Sequence, residues 1–473
     1  MGNRVVWLLL LVPLAVRALF VPFFALTYDE VSYAWVAQRL ADSGGWLGFR
    51  GPDDAFFWPP LFPYLAAPWI ALGIDRVIAV RLVTVLLSSG IAPLLYLLVR
   101  RAGHGTRAAL LTALLWLLSP WAFRFSVVGQ VETPMLALVL LAVLLLLRAR
   151  DDGRLRTAAL CAVALGAAVW TKETALGLAP LFPVFLWRIR RQAVVWSLAF
   201  AALLVPHLVQ NFLPHTFGVF FELTNPFTSW NHVNPDSVLG NLLRLQGIEP
   251  LGAGGFGLAI AVAVAVTLVL AVRDLWGDIR RGDPLLRFCG LALAILGAFF
   301  ALFWKRFVYY ALPLHLFLAP FLGIYLARVR VWRWVFLAFV ALSFAATLPR
   351  FAAHREERMC LQALRVIEIQ RPGASVGMPL PRLAEYLTER EQIDVRVSPK
   401  DWVACLDESS DCLLDHEYLA GSSESLRRAL VGIYCRSPTV HPGCDRTGMN
   451  DLFERLRYVT GDDGFRVYRV EPK

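Results

Sequence analysis

Two adjacent carboxylates in Tyr28-Asp29-Glu30 follow directly on a long apolar run. Acids at an apolar boundary are costly to desolvate unless they are paired, bound to a cation or at work. One such group can take the proton of an attacking hydroxyl while its neighbour helps hold a cation or the acceptor. The plain alternative is two charges ending a helix in water. A third acid, Glu132 in Val128-Gly129-Gln130-Val131-Glu132-Thr133-Pro134, stands at a similar boundary. It is suited either to join Asp29 around an acceptor or a metal, or simply to favour the positive end of a helix. Lys172 and Lys305 are the two lysines that precede residue 349. With Arg306 they supply cations of the kind that stabilises a departing phosphate, or that merely snorkel from helix ends. Arg81 lies a turn inside an apolar segment, too deep for snorkelling, and is expected to face the protein interior.

Between these groups lies Trp58-Pro59-Pro60-Leu61-Phe62-Pro63-Tyr64. Its prolines and aromatics suggest an interfacial segment, with Trp58, Pro59, Pro60 and Tyr64 lining a groove for an isoprenoid tail; an aromatic belt without a ligand would look alike. Residues 31–40 continue from Glu30 as an amphipathic pattern of the kind that lies along a membrane surface. Glu173 is placed to pair with its neighbour Lys172. His207 and His315 fall in apolar runs and read as hydrogen-bonded packing residues. The 214–250 loop mixes His215, Glu222, His232 and Asp236 with aromatics, as sugar stacking or a plain re-entrant loop would. There is no P-loop, no Gly-rich nucleotide fingerprint and no HExxH.

The elements that must position these side chains are apolar. The 473 residues are 58% hydrophobic with 17% charged and a mean hydropathy of +0.57, too little polar surface for a soluble chain of this length. About 20 apolar residues cross a hydrocarbon core. About eleven spanning helices are expected, near 5–26, 77–99, 108–123, 133–147, 157–170, 174–187, 193–213, 251–272, 285–304, 308–327 and 332–348. The first reads as a retained helix rather than a cleaved signal. The net charge is +10, and of the 46 basic residues four are Lys, leaving 42 Arg. The arginines concentrate in the alternate loops 100–107, 148–156, 188–192, 273–284 and 328–333, each with at least three. That alternation puts the N-terminus in the cytoplasm and the Asp29 segment outside. Such short loops argue against nucleic-acid binding.

Residues 349–473 differ in composition. They are expected to form a small extracytoplasmic α/β domain after the membrane domain of residues 1–348. Strand patterns fall at 374–378, 394–397, 429–434 and 465–470, and helical ones at 356–370 and 381–390. Five of the seven Cys are here: Cys360, Cys405, Cys412, Cys435 and Cys444. An oxidising location permits disulfides, with Cys405–Cys412 and Cys435–Cys444 the local pairings among several possible. Cys161 and Cys289 read as small apolar fillers.

An Asp-Glu pair after the first helix, Pro59-Pro60-Leu61-Phe62-Pro63-Tyr64, Arg81 near the start of the second helix and Glu132 before the fourth occur together in the GT-C glycosyltransferases. Over roughly residues 1–330 the chain resembles the dolichyl-phosphate-mannose-protein mannosyltransferase and aminoarabinose transferase group. The resemblance implies a polytopic α-helical membrane fold and inverting transfer from a polyprenyl-phosphate sugar to an acceptor hydroxyl on the outer face. It casts Asp29 as catalytic base and Glu30 and Glu132 as supports for the acceptor or for a divalent cation such as Mg or Mn held by Asp29 and Glu132. Lys172, Lys305, Arg306 and Arg81 would meet the phosphate. One departure is Trp58, where many relatives carry Lys or His. The partners implied are the lipid-linked sugar, an acceptor and membrane lipids, with no nucleic acid. A multi-spanning transporter or lipid flippase is the competing reading, though the acids cluster at one face and no inverted repeat is visible. A non-catalytic subunit with a partner-binding tail is a third.

Overall fold

The computed structural model describes residues 2–24, 26–43, 60–207, 255–302, 312–329 and 332–347. In the tail it describes 361, 364, 375–377, 381–394, 396–397, 411–415, 456–461 and 465–470. The chain divides into two compact units, Met1–Phe24 with Val36–Ala352, and Ala25–Trp35 with Ala353–Lys473.

Helices make up the first unit. Helix α1 is Gly2–Phe20, α2 is Tyr28–Ser43, whose residues up to Trp35 belong to the second unit, and α3 is Leu61–Ala71. Then come α4 Arg76–Ser89, α5 Ile91–Arg101, α6 Thr106–Leu117 and α7 Pro120–Phe125. Helix α8 is Glu132–Asp152 and α9 Leu155–Thr171, followed by a 3-10 turn Glu173–Leu178, α10 Leu181–Leu186 and α11 Arg190–His207. The remainder are α12 Gly255–Arg281, α13 Pro284–Leu302, α14 Leu312–Arg328 and α15 Trp332–Thr347. Among the described residues, Asn3–Phe20, Arg76–Arg101 and Glu132–Asp152 are long and apolar enough to cross a membrane, and seven shorter apolar helices accompany them. Trp7, Leu8, Leu11 and Leu19 stand exposed on α1, as a lipid-facing helix requires.

Several expected spans are composite. The 77–99 span is α4 and α5 meeting at Gly90, whose αR backbone keeps the course nearly helical. The 108–123 span is cut at Ser119-Pro120: the Ser119 hydroxyl accepts from Ala122 N, and the proline sits at the first helical position of α7. The 174–187 span is a 3-10 turn and a short helix, divided around Pro180. Hydropathy counts apolar residues and is blind to these punctuation points. Residues 208–213 and 303–311, and the 214–250 loop, lie outside the described residues.

Packing follows small residues. A Cβ at Gly323 on α14 would fall 2.2 Å from Thr112 Oγ1 and 2.6 Å from its backbone nitrogen on α6, so these helices touch backbone to backbone. His315 one face along stacks on Trp116 with ring centroids 5.6 Å apart. Cys161 is buried and donates to Ala142 O, and Cys289 is buried; both are free thiols.

Among the described residues of the second unit, five strands form one mixed sheet in the order β2-β1-β3-β5-β4. They are β1 Ser375–Gly377, β2 Arg396–Val397, β3 Asp411–Asp415, β4 Leu456–Gly461 and β5 Phe465–Val470, with helix α16 at Pro381–Glu391 between β1 and β2. β1 pairs in parallel with β2 and β3, and β5 runs antiparallel to β3 and β4. Three strand expectations meet described strands; β3 and β4 were not anticipated. The 429–434 stretch, most of 356–370, and Cys360, Cys405, Cys435 and Cys444 lie outside the described residues, while Cys412 is on β3.

Candidate functional site

The Asp29 turn belongs to a reciprocal cap. Thr27 precedes α2, and its Oγ1 accepts from Glu30 N at 3.3 Å while Glu30 Oε2 accepts from Thr27 N at 3.3 Å. This Thr-x-x-Glu box satisfies two orphan donors at once. It resolves the paired acids: Glu30 is fully buried and committed to the cap, whereas Asp29, one residue earlier, keeps partial exposure. At the second helical position Asp29 also sits at the positive end of the helix dipole. The expected amphipathic helix at 31–40 is there, but Val31, Ser32, Tyr33 and Ala34 are all buried, so its first turns are enclosed rather than laid on a surface.

A second group forms where α8 begins and α9 ends. The segment before Glu132 is tied to α4, with Ser88 Oγ donating to Ser126 O at 3.1 Å and Thr84 Oγ1 to Gln130 O at 3.3 Å. Thr133 Oγ1 donates to Phe125 O at 2.6 Å. Lys172 leaves α9 in an extended conformation. Its ammonium bonds Glu132 Oε1, an ion pair whose side chains are 15% and 3% exposed. Glu132 Oε2 is buried and accepts no hydrogen bond. Glu132, forty residues away in sequence, is thus a partner of Lys172 that its sequence neighbourhood does not announce.

That pairing bears on a metal. A divalent cation on Glu132 would face the Lys172 ammonium across one carboxylate, leaving excess positive charge in a buried site. No group of three potential metal-ligating side chains occurs among the described residues. The donor set at Glu132 does not fit the expected divalent ion.

Arg81 does face inward. It donates from Nη1 to Phe24 O at 2.9 Å and also to Val21 O, satisfying carbonyls beyond the end of α1. Arg17, unremarked in the sequence, is buried in the same bundle and donates to Ser89 Oγ at 3.4 Å. Its signal was a lone cation inside the apolar run of α1. Pro60 is buried and precedes α3, with Tyr64 N donating to Pro60 O; Tyr64 is half-buried, while Phe62 and Pro63 are buried. Trp58, Pro59, Lys305 and Arg306 lie outside the described residues, and of His207 only the backbone is described.

Comparison with known proteins gives the fold. The family model for dolichyl-phosphate-mannose-protein mannosyltransferase matches residues 58–211. The structure of ArnT from Cupriavidus metallidurans bound to undecaprenyl phosphate matches over 100% of both chains, at 15% identity and a TM-score of 0.59. The same protein in the apo state covers 100% of this chain and 99% of its own, at 16% identity and a TM-score of 0.58. No curated protein matches the chain by sequence. The architecture is therefore a polytopic α-helical membrane fold like that of ArnT.

Proposed function

We propose that the chain is a membrane glycosyltransferase that moves a monosaccharide from a polyprenyl-phosphate carrier to an acceptor hydroxyl, with inversion, on the extracytoplasmic side. The observation that carries this reading is the likeness along the whole chain to a protein crystallised with undecaprenyl phosphate, joined to a half-exposed carboxylate, Asp29, at a capped helix end. The family match over residues 58–211 points the same way. The outward orientation rests on the arginine-rich alternate loops.

In the reaction the acceptor oxygen attacks the anomeric carbon as the bond from that carbon to the phosphate oxygen breaks. Asp29 takes the hydroxyl proton, and the carrier leaves as a polyprenyl phosphate. Glu30 holds the Asp29 turn rather than handling a proton. Lys305 and Arg306 meet the leaving phosphate. Glu132 and Lys172 serve as a neutral pair, whose unpartnered Oε2 suits a hydroxyl donor of sugar or acceptor. No step passes through a metal.

The test is turnover of purified Asp29→Asn with a polyprenyl-phosphate sugar and candidate acceptors. Loss of transfer with an unchanged melting temperature is the expected result. Undiminished turnover removes Asp29 as base; transport of the lipid without transfer by the native chain would replace the enzyme by a flippase.

A further inference from the structure

The arginine-rich loops are not equal in their partners. At the α12 and α14 ends, Arg328 bonds Asp274 at 2.8 Å and also Asp278, and Asp278 takes Arg281 as well. There the positive charge is largely answered by carboxylates.

The turns α8–α9 and α10–α11 are different. Gly153 closes α8 in the left-handed region with φ 69°, so the chain reverses at once, and Arg148, Arg150, Arg154 and Arg156 crowd one tight turn. Gln192, fully buried, donates to Ala149 O at 2.9 Å, which clasps the turn bearing Arg188, Arg190 and Arg191 against the first. The two carboxylates nearby are already engaged. Asp151 pairs with Arg101 at 2.7 Å. Asp152 accepts from Arg154 N and Thr157 Oγ1, with Arg148 Nε at 3.8 Å. Arg150, Arg154, Arg156, Arg188, Arg190 and Arg191 are exposed; Asp152 feels the charge of Arg154, but among the described residues no carboxylate forms an ion pair with any of the six guanidinium groups. Directly above them the surface turns apolar: Leu155, Val184, Trp187, Val194 and Leu198 are exposed, with Trp187 at 69%.

Membrane topology asks for positive charge in such loops but not for two of them to be clasped together with so few carboxylates between them. We propose that these turns form a headgroup site for an anionic phospholipid of the surrounding bilayer. The guanidinium groups take the phosphate oxygens, Trp187 lies at headgroup level, and the acyl chains run along α9 and α11. The inference does not depend on the catalytic reading.

The test uses the full chain purified in detergent, with native mass spectrometry of retained lipid after equilibration with equimolar cardiolipin, phosphatidylglycerol, phosphatidylcholine and undecaprenyl phosphate. Wild type is expected to retain the anionic phospholipids over phosphatidylcholine. The triple variants R150Q/R154Q/R156Q and R188Q/R190Q/R191Q are each expected to lower that preference by roughly ten-fold or more. The corresponding Arg→Lys triples keep most of it. R100Q/R107Q/R273Q removes equal charge from exposed positions elsewhere and is expected to leave it intact. Raising NaCl from about 0.1 to 0.5 M should weaken the wild-type preference, a readout that needs no variant. Equal loss in the control triple, indifference to salt, or retention of undecaprenyl phosphate in place of phospholipid would each overturn the proposal.

Discussion

The ammonium of Lys172 rests on Glu132 Oε1, and this contact joins the end of α9 to the beginning of α8. Both side chains are largely out of solvent. Removing one partner therefore strands the other's charge in a poor medium rather than merely deleting an attraction.

Glu132→Gln and Lys172→Met are each expected to destabilise the protein by about 3–5 kcal/mol. Thermal unfolding in detergent measures this. The exchange E132K/K172E should recover a large part of the loss if the pairing is what matters. No recovery would mean that the surroundings, not the pair, set the polarity.

Thr27→Ala removes one half of the α2 cap and is expected to cost about 1 kcal/mol. Glu30→Gln keeps an oxygen that can accept from Thr27 N, whereas Glu30→Ala does not. Transfer activity should therefore fall in the order wild type, E30Q, E30A, without matching the collapse expected of Asp29→Asn. If E30Q were as dead as D29N, Glu30 would be more than a cap.

Gly323→Ala forces a methyl into the Thr112 backbone. We expect at least about 1–3 kcal/mol of destabilisation. Gly297 on α13 has nothing within 4 Å of the same methyl. Gly297→Ala should stabilise the helix by about 0.5–1 kcal/mol. A melting series on the two variants gives opposite signs if the α6–α14 contact is as close as described.

At the polar end of α12, partial burial works to raise the Asp278 carboxyl. The hydrogen bonds from Arg328 and Arg281 outweigh it, and the group is held below its ordinary value. A carboxyl depressed on folding lends stability above its unfolded pKa of about 3.9, and that share is lost as pH falls through the folded value. The melting temperature of wild type should thus drop more steeply below about pH 4 than that of Asp278→Asn. Parallel profiles would deny the group any such linkage.

Much of the architecture was legible because hydropathy and arginine placement are long-range, redundant signals. The helices α1, α8, α9, α11 and α12 to α15 answer to expected spans for that reason. What escaped was set by single residues or by distant partners. Ser119-Pro120 splits one span, and Pro180 another. Arg81 faces inward as its depth in the apolar segment implies, but the Val21 and Phe24 carbonyls that it meets lie beyond the end of α1, which no local pattern announces. The Thr27-x-x-Glu30 box was in plain view as a sequence pattern. The adjacent Asp29 masks it, because two acids side by side signal charge more strongly than a capping hydrogen bond. The strands β3 and β4 are defined by their register with β5, a partner that their own composition does not announce.

The order of strands in the tail imposes a schedule on its birth. β5 lies between β3 and β4, so β3 presents an unsatisfied edge until residues 416–464 have all emerged behind it. During synthesis the nascent domain is a half-open ladder, exposed to pairing with a neighbouring chain. Slow emergence through that stretch would prolong the hazard, and a shielding factor that waits there would have a reason to exist.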